Sequence, residues 1–147
     1  MRVGALPAAC LALLSLLAPA GAAQPPALSA QDAWIRATPG VDVAAAYLTL
    51  HNGGTQVVVL SGVSSPEAAS AMLHETRIVN GQSTMRPHEP LRIAPGETVR
   101  LAPGGLHIML HNLKRPLAAG DEVPLMLLLE GAGNLTVMAR VRPLDGE

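Results

Sequence analysis

Cysteine and aromatic residues are scarce in this sequence of 147 residues. It contains one Cys, one Trp, one Tyr and no Phe. The single cysteine, Cys10, lies in an amino-terminal leader that we expect to be removed, which excludes disulfide bonds, thiolate metal sites and thiol–disulfide exchange for the mature chain. So few aromatic rings argue against a stacking platform for bases or sugars. The core therefore has to be filled by Leu, Val, Ile, Ala and Met.

An excess of positive charge is also missing. The formal net charge is -1, and it becomes -2 if Arg2 leaves with the leader, because every acidic residue stays. This balance gives no electrostatic reason to bind nucleic acid or an anionic membrane. The acidic residues are scattered, and neither a Gly-x-Ser-x-Gly motif nor a glycine-rich phosphate loop is present. An enzyme is therefore the least favoured class of protein.

No apolar run reaches the length of about 20 residues that a membrane-spanning helix needs. The leader has a charged start, an apolar centre and a stretch of small residues ending at Ala22 and Ala23, which is typical of a secretory signal peptide. We predict a signal peptide over residues 1–23, cleaved after Ala22 or Ala23, and no stable membrane insertion. Lipidation is not expected, because most of the apolar centre follows Cys10.

Short apolar or alternating runs, separated by turn residues such as Pro, Gly and Asn, fill the rest of the chain. This pattern is typical of an antiparallel sandwich or barrel. We predict a single all-β domain over residues 31–143, after a linker over 24–30 and before a tail over 144–147. The segment 66–71 is a candidate helical turn, since Pro66 suits a first helical position. The predicted strands cover residues 33–36, 43–51, 57–64, 71–79, 83–86, 91–93, 98–101, 106–112, 123–130 and 135–142.

Two strand segments carry a combination of His and Met that indicates a metal. In the segment 106–111, residues alternate, so His107 and Met109 share the face opposite to the apolar one. The dipeptide Asn80-Gly81 predicts a hairpin that brings Met85 beside the strand carrying His74. A thioether is a soft, neutral ligand that favours Cu(I), whereas zinc sites use imidazole, thiolate or carboxylate. The four residues together therefore point to copper.

The spacing of these four residues resembles a known family, the periplasmic copper chaperones called PCu(A)C. The family's signature is a His, ten residues, a Met, twenty-one residues and then His-x-Met, which here are His74, Met85, His107 and Met109. Similar segments include 46–49, 85–87, 103–110 and 114–117, so that the resemblance covers nearly the whole mature chain.

The resemblance implies a cupredoxin-like Greek-key β-sandwich whose four signature residues bind Cu(I). It also implies a periplasmic protein that delivers copper to the copper A centre of cytochrome c oxidase, often beside Sco-type copper proteins. We expect the protein to be a monomer. Two other functions stay open. One is copper buffering or resistance without a dedicated acceptor, and the other is an interaction module without metal.

Other His and Met residues receive structural interpretations. His88 and His111 are expected on the solvated surface, with the alternative that one of them joins His74 and His107 when the ion is Cu(II). His51 is expected to serve a turn or cap. We predict core packing for three methionines, with the alternative of an auxiliary thioether for the first: Met72, Met126 and Met138.

Overall fold

The computed structural model describes residues 27–131 and 133–144 of the chain. The predicted signal peptide, the first part of the predicted linker and the last residues of the tail lie outside these described residues. Every regular element within them is a β-strand. No helix in this part of the chain has the length and hydrophobicity that a bilayer span requires.

Ten strands follow one another along the chain. They are β1 (Leu28–Ala37), β2 (Val43–Asn52), β3 (Val58–Ser64), β4 (Ala68–Val79), β5 (Gln82–Pro87), β6 (Leu91–Ile93), β7 (Thr98–Leu101), β8 (Leu106–Leu113), β9 (Glu122–Leu129) and β10 (Gly133–Arg142).

Seven of the strands form a closed ring. Their order is β4-β8-β2-β1-β10-β9-β3, and β3 returns to β4 through the pair Val63 and Ala71. Strand β5 extends the sheet beyond β4, β6 pairs with β3, and β7 pairs with the second half of β2. Strands that neighbour one another in space are often distant in sequence, as in a cupredoxin-like fold rather than a meander. The expectation of an all-β cupredoxin-like fold is confirmed.

Alternation along the strands builds the core. The central inward residues of β8 and β9 are fully buried, and they alternate with residues on the outward row. Burial of each large aliphatic side chain contributes about 1.5–3 kcal/mol, so the inward rows provide most of the driving force for closure of the ring. The fully buried leucines and isoleucines include Ile35, Leu50, Leu60, Leu73, Ile93, Ile108, Leu110, Leu125 and Leu127.

One buried polar residue connects the end of β2 to the following loop and to β6. The side-chain amide of Asn52, at the end of β2, donates to the carbonyl oxygens of Gln56 at 2.8 Å and of Ile93 at 3.0 Å. Its oxygen accepts from the backbone amide of Gly54 at 3.0 Å. These bonds compensate its full burial.

Two expectations about local structure are corrected. The segment 66–71 does not form a helical turn: Pro66 and Glu67 make a turn, and β4 begins at Ala68. Pairing of Ala68 with Leu113 of β8 overrides the local preference. The ordered domain also starts earlier than Gln31, because β1 begins at Leu28, which pairs with Asn52.

Candidate metal centre

Two histidines lie side by side on adjacent strands. His74 of β4 and His107 of β8 are direct register partners in an antiparallel pair. Directly opposed residues project from the same face of a sheet, with Cβ atoms about 4.5–5.5 Å apart. The ring centroids are 6.0 Å apart and the rings are nearly perpendicular, at 88°. The two imidazoles are therefore placed to share one ion.

The inner histidine of this pair is held in one tautomer. His107 is only 4% exposed, and its Nδ1 lies 2.9 Å from the carbonyl oxygen of Gly105. Because a carbonyl oxygen only accepts, Nδ1 carries the proton and Nε2 keeps a free lone pair. This Nε2 is the one buried side-chain nitrogen or oxygen among the described residues that has no hydrogen-bond partner.

An orphaned buried nitrogen of this kind calls for an explanation. Metal-binding histidines commonly donate their other ring N–H to a carbonyl or carboxylate, which fixes the ring and exposes the ligating nitrogen. His107 has this arrangement through Gly105. The contact with Gly105 therefore orients the ring and leaves the lone pair of Nε2 without a partner.

Both predicted methionines lie on the same face of the sheet. Met109 is two residues beyond His107 on β8 and is half-buried. Met85 lies on β5, opposite Thr76, which is two residues beyond His74 on β4. Met85 is 60% exposed, the highest value among the four residues. The hairpin around Asn80 and Gly81, predicted from sequence, brings it there, and both of these residues have a positive φ.

The environment of the outer histidine favours its neutral form. Burial lowers the pKa of His74 below its ordinary value, and repulsion from His107 and His111 lowers it further, while Glu89 opposes this. A neutral imidazole is the form that coordinates metal. No group of three or more His, Cys, Asp or Glu side chains in the described ranges is arranged to hold a metal ion.

Two neighbours extend the row of potential ligands. The ring of His111 lies 6.0 Å from that of His74, so His111 adjoins the pair although we expected it on the solvated surface. Met72 lies opposite Met109 in the register of β4 and β8. It is 40% exposed, so the expected core packing of Met72 is wrong, and its thioether stands on the face of the candidate site.

The expected core packing is also wrong for the two other methionines. Met138 is 52% exposed, and Met126 is half-buried on the outward row of β9, where Leu125 and Leu127 take the inward positions. Of the remaining histidines, His88 lies with its Nδ1 3.6 Å from a carboxylate oxygen of Glu75. Met126 and Met138 lie on strands that do not pair with β4 or β8, whereas the backbone amide of His88 donates to the carbonyl oxygen of Leu73, next to His74.

His51 lies at the end of β2 and does not join the pair of imidazoles. Its Nδ1 is 3.0 Å from the hydroxyl oxygen of Thr98 on β7. This contact ties the end of β2 to its neighbouring strand. It agrees with the structural role expected for His51 from sequence.

Sequence reasoning missed the residues that support His107. The ring of Tyr47, on β2, lies 6.4 Å from the ring of His107, and Tyr47 is itself 6% exposed. Gly105 accepts both the Nδ1–H of His107 and the backbone amide of Thr76 at 3.1 Å. The only signals for these two residues in the sequence are that Gly105 lies two residues before His107 and that Tyr47 occupies an outward position in the alternation of its strand.

These features define a class: a cupredoxin-like β-domain with a face of paired imidazoles and thioethers. A sequence model of the family described as "Putative lipoprotein LpqE-like" matches residues 28–141. The chain belongs to this family. A curated relative, "Putative lipoprotein Lxx21020" of Leifsonia xyli, is 37% identical over 115 residues, which cover 78% of this chain and 69% of the relative.

Solved structures give the same assignment. The solution structure of CuI-DR1885 from Deinococcus radiodurans is 35% identical, with a TM-score of 0.66 and coverage of 86% of this chain and 85% of that one. The copper-bound PCuAC domain from PmoF2 is 25% identical, with a TM-score of 0.66 and coverage of 79% and 92%. The resemblance to PCu(A)C proteins found in the sequence is confirmed.

Proposed function

We propose that this protein is an exported copper chaperone that holds Cu(I) through His74, Met85, His107 and Met109. The observation that carries the proposal is the buried Nε2 of His107, which has no hydrogen-bond partner and belongs to a ring oriented by Gly105. The copper-bound forms of the similar DR1885 and PmoF2 domains support copper as the cargo.

The donor set fits Cu(I) better than harder divalent ions. Two neutral imidazoles and two thioethers bring no negative charge, so the complex keeps the single positive charge of the ion. Soft thioether ligands select Cu(I), whereas Cu(II) prefers nitrogen and tetragonal geometry. The fixed ring of His107 is the anchor of the site, because its burial and hydrogen bond hold it in place.

The gradient of exposure across the site suits release as well as binding. His107 is buried, His74 and Met109 are half-buried, and Met85 is 60% exposed. An incoming ligand from an acceptor can therefore replace Met85 first and His107 last. Transfer by stepwise ligand exchange never leaves the ion free in solution.

The resemblance to PCu(A)C proteins supplies the proposed acceptor and location. We place the protein in the periplasm and propose delivery to the copper A centre of cytochrome c oxidase, with Sco-type proteins as further partners. The alternative is copper buffering without a dedicated acceptor. Deletion of the gene distinguishes the two functions, because loss of oxidase activity at low copper supports delivery and loss of copper tolerance supports buffering.

X-ray absorption of the Cu(I)-loaded protein tests the ligand set directly. We expect about two sulfur and two nitrogen neighbours, and the loss of one sulfur neighbour in a Met109→Leu variant. Met138→Leu is the matched control, since this exposed methionine lies on β10, outside the site. A spectrum without sulfur neighbours, or one that Met138→Leu changes as much as Met109→Leu, would contradict the proposal.

The position of His111 bears on the oxidised ion. Its ring is as close to His74 as the ring of His107 is. A third imidazole would suit Cu(II), which prefers nitrogen. Electron paramagnetic resonance of the Cu(II)-loaded His111→Ala variant tests this role, with His88→Ala as control. An unchanged spectrum in both variants would limit the nitrogen ligands to His74 and His107.

A further inference from the structure

The sheet face that carries the imidazoles continues across β2 to a group of arginines. Arg36 on β1, Arg100 on β7 and Arg142 on β10 are exposed, and each occupies the outward row of its strand. Arg36 and Arg142 are direct register partners, and Arg100 pairs with Thr49 of β2. We call these three residues the arginine surface. It stands out because the chain as a whole has a formal net charge of -1.

Within the described residues, no ion pair involves an arginine of the arginine surface. The ion pairs of arginine there involve Arg77 and Arg115 and none of these three residues. Like charges directly opposite each other on a sheet are destabilising. What holds Arg36 and Arg142 together is Trp34, since their guanidinium carbons lie 5.8 and 4.7 Å from its ring centroid. Cation–π contact orients a guanidinium while its N–H groups stay free to donate.

A cavity of about 240 Å³ opens between Arg100 and Arg142. Its wall includes Trp34, Asp32 and Thr49, and it ends at the β7–β8 turn with Ala102 and Pro103. Two guanidinium groups facing one concave space can grip a carboxylate by paired hydrogen bonds. The carboxylate of Asp32 restricts which anions can bind in the cavity, because it repels any anion that does not also contact several positive groups.

The arginine surface is linked to the candidate metal centre by direct packing. Trp34 stacks on Tyr47 with centroids 4.5 Å apart, and Tyr47 lies 6.4 Å from the ring of His107. The β7–β8 turn that closes the cavity ends at Gly105, whose carbonyl oxygen accepts the Nδ1–H of His107. An occupant of the cavity therefore sits within one turn of the chain from the ligand that anchors the metal.

We infer that the arginine surface docks a carboxylate-rich surface of the protein that exchanges copper with this chain. The inference rests on the proposed function, because the partner must present its own ligands to the same face. Complementary charge steers encounter, raises the association rate and fixes the orientation of the partner. A protein partner is favoured over an anionic membrane, since the molecule carries net negative charge and its positive groups surround a concave site.

Nuclear magnetic resonance of the metal-free protein tests the surface without depending on copper. A hexaglutamate peptide is titrated at low salt, with hexaglutamine as the neutral control. We expect amide shifts in β1, β7 and β10, and at least about tenfold weaker binding in the R100Q/R142Q double variant. The R92Q/K114Q double variant is the matched control, because it loses the same charge at exposed positions outside the surface.

The outcomes separate the alternatives. Equal weakening in both double variants, or shifts spread over the whole chain, would overturn the inference in favour of unspecific attraction. If the natural chain sediments with phosphatidylglycerol vesicles, the R100Q/R142Q variant does not, and no peptide binds, the arginine surface would be a membrane-binding surface instead. A chelator competition with Cu(I) is measured in parallel, and we expect the same affinity for R100Q/R142Q as for the natural chain. Failure of the natural chain to bind Cu(I) would contradict the proposed function, whereas the result of the peptide titration would be unaffected.

Discussion

Replacement of His107 by Leu separates the demands of folding from those of metal binding. In the natural chain a buried ring nitrogen has no partner, so the metal-free protein carries the cost of its desolvation. Leucine has a similar volume and no polar atom. The substitution therefore removes an unfavourable interaction from the metal-free fold and the proposed anchor from the site.

The magnitude follows from two opposing terms. Removal of a buried unsatisfied polar atom returns about 1–3 kcal/mol, whereas loss of the Nδ1–H bond to Gly105 costs about 0.5–1.5 kcal/mol. The carbonyl of Gly105 stays satisfied, because the backbone amide of Thr76 also donates to it. The net change in the free energy of unfolding is a gain of about 1 kcal/mol, which corresponds to a rise of roughly 3–6 °C in Tm for a domain of this size.

Thermal unfolding with and without bound Cu(I) measures both effects. We expect metal-free His107→Leu to melt at or above the natural chain, and to lose most of the stabilisation that Cu(I) gives it by mass action. His107→Asn is the control: its amide keeps a donor for Gly105 but places a new polar atom in the pocket, so it should melt below His107→Leu. A metal-free His107→Leu protein destabilised by more than about 2 kcal/mol would refute the assignment of an unsatisfied Nε2.

Three further predictions concern the site and its frame. Met85→Leu and Met109→Leu should weaken Cu(I) more than Cu(II) in a chelator competition, since only the softer ion gains much from sulfur, and equal losses would contradict the assignment of thioethers. The pKa of His74 is lower in the folded protein than in the unfolded chain, so His74 is protonated in the unfolded chain first as the pH falls. Its contribution to the free energy of unfolding should be complete above the unfolded pKa and be lost as the pH falls through the folded pKa. Denaturant unfolding at a series of pH values should show a smaller loss in His74→Gln. The pKa of Asp121 is lowered first by the backbone amide of Ala118 and then by Arg115. Its contribution to the free energy of unfolding is therefore present above the unfolded pKa and lost as the pH falls through the folded pKa. Asp121→Asn should reduce the loss of stability at acid pH, and an unchanged loss would refute this.

Much of the fold can be predicted because residues with strong turn preferences mark its turns in the sequence. Asn80 and Gly81 both adopt positive φ in the β4–β5 hairpin, as the Asn-Gly dipeptide predicts. The alternation in β8 likewise predicts which residues point inward. The start of β4 could not be predicted in this way, because pairing of Ala68 with Leu113 depends on a strand almost fifty residues away.

The sequence predicts which residues form the candidate site, and the structure adds how their side chains are oriented and buried. The spacing of His74, Met85, His107 and Met109 selects the residues, and the structure places all four on one sheet face. The register of β2 brings Tyr47, which is distant in sequence, to within 6.4 Å of the His107 ring. No pattern of polar and apolar residues encodes this neighbour.

The exposed methionines illustrate the same difference. In a sequence with few aromatic rings, a Met inside an apolar strand is expected to fill the core. Met72 nevertheless points outward, because the parity of β4 is set by Leu73, which is fully buried. A hydrophobic side chain at this position costs exposure to water and contributes nothing to packing inside the ring. The register of β4 and β8 explains its position instead, since it places the Met72 thioether opposite Met109 on the face that carries the paired imidazoles.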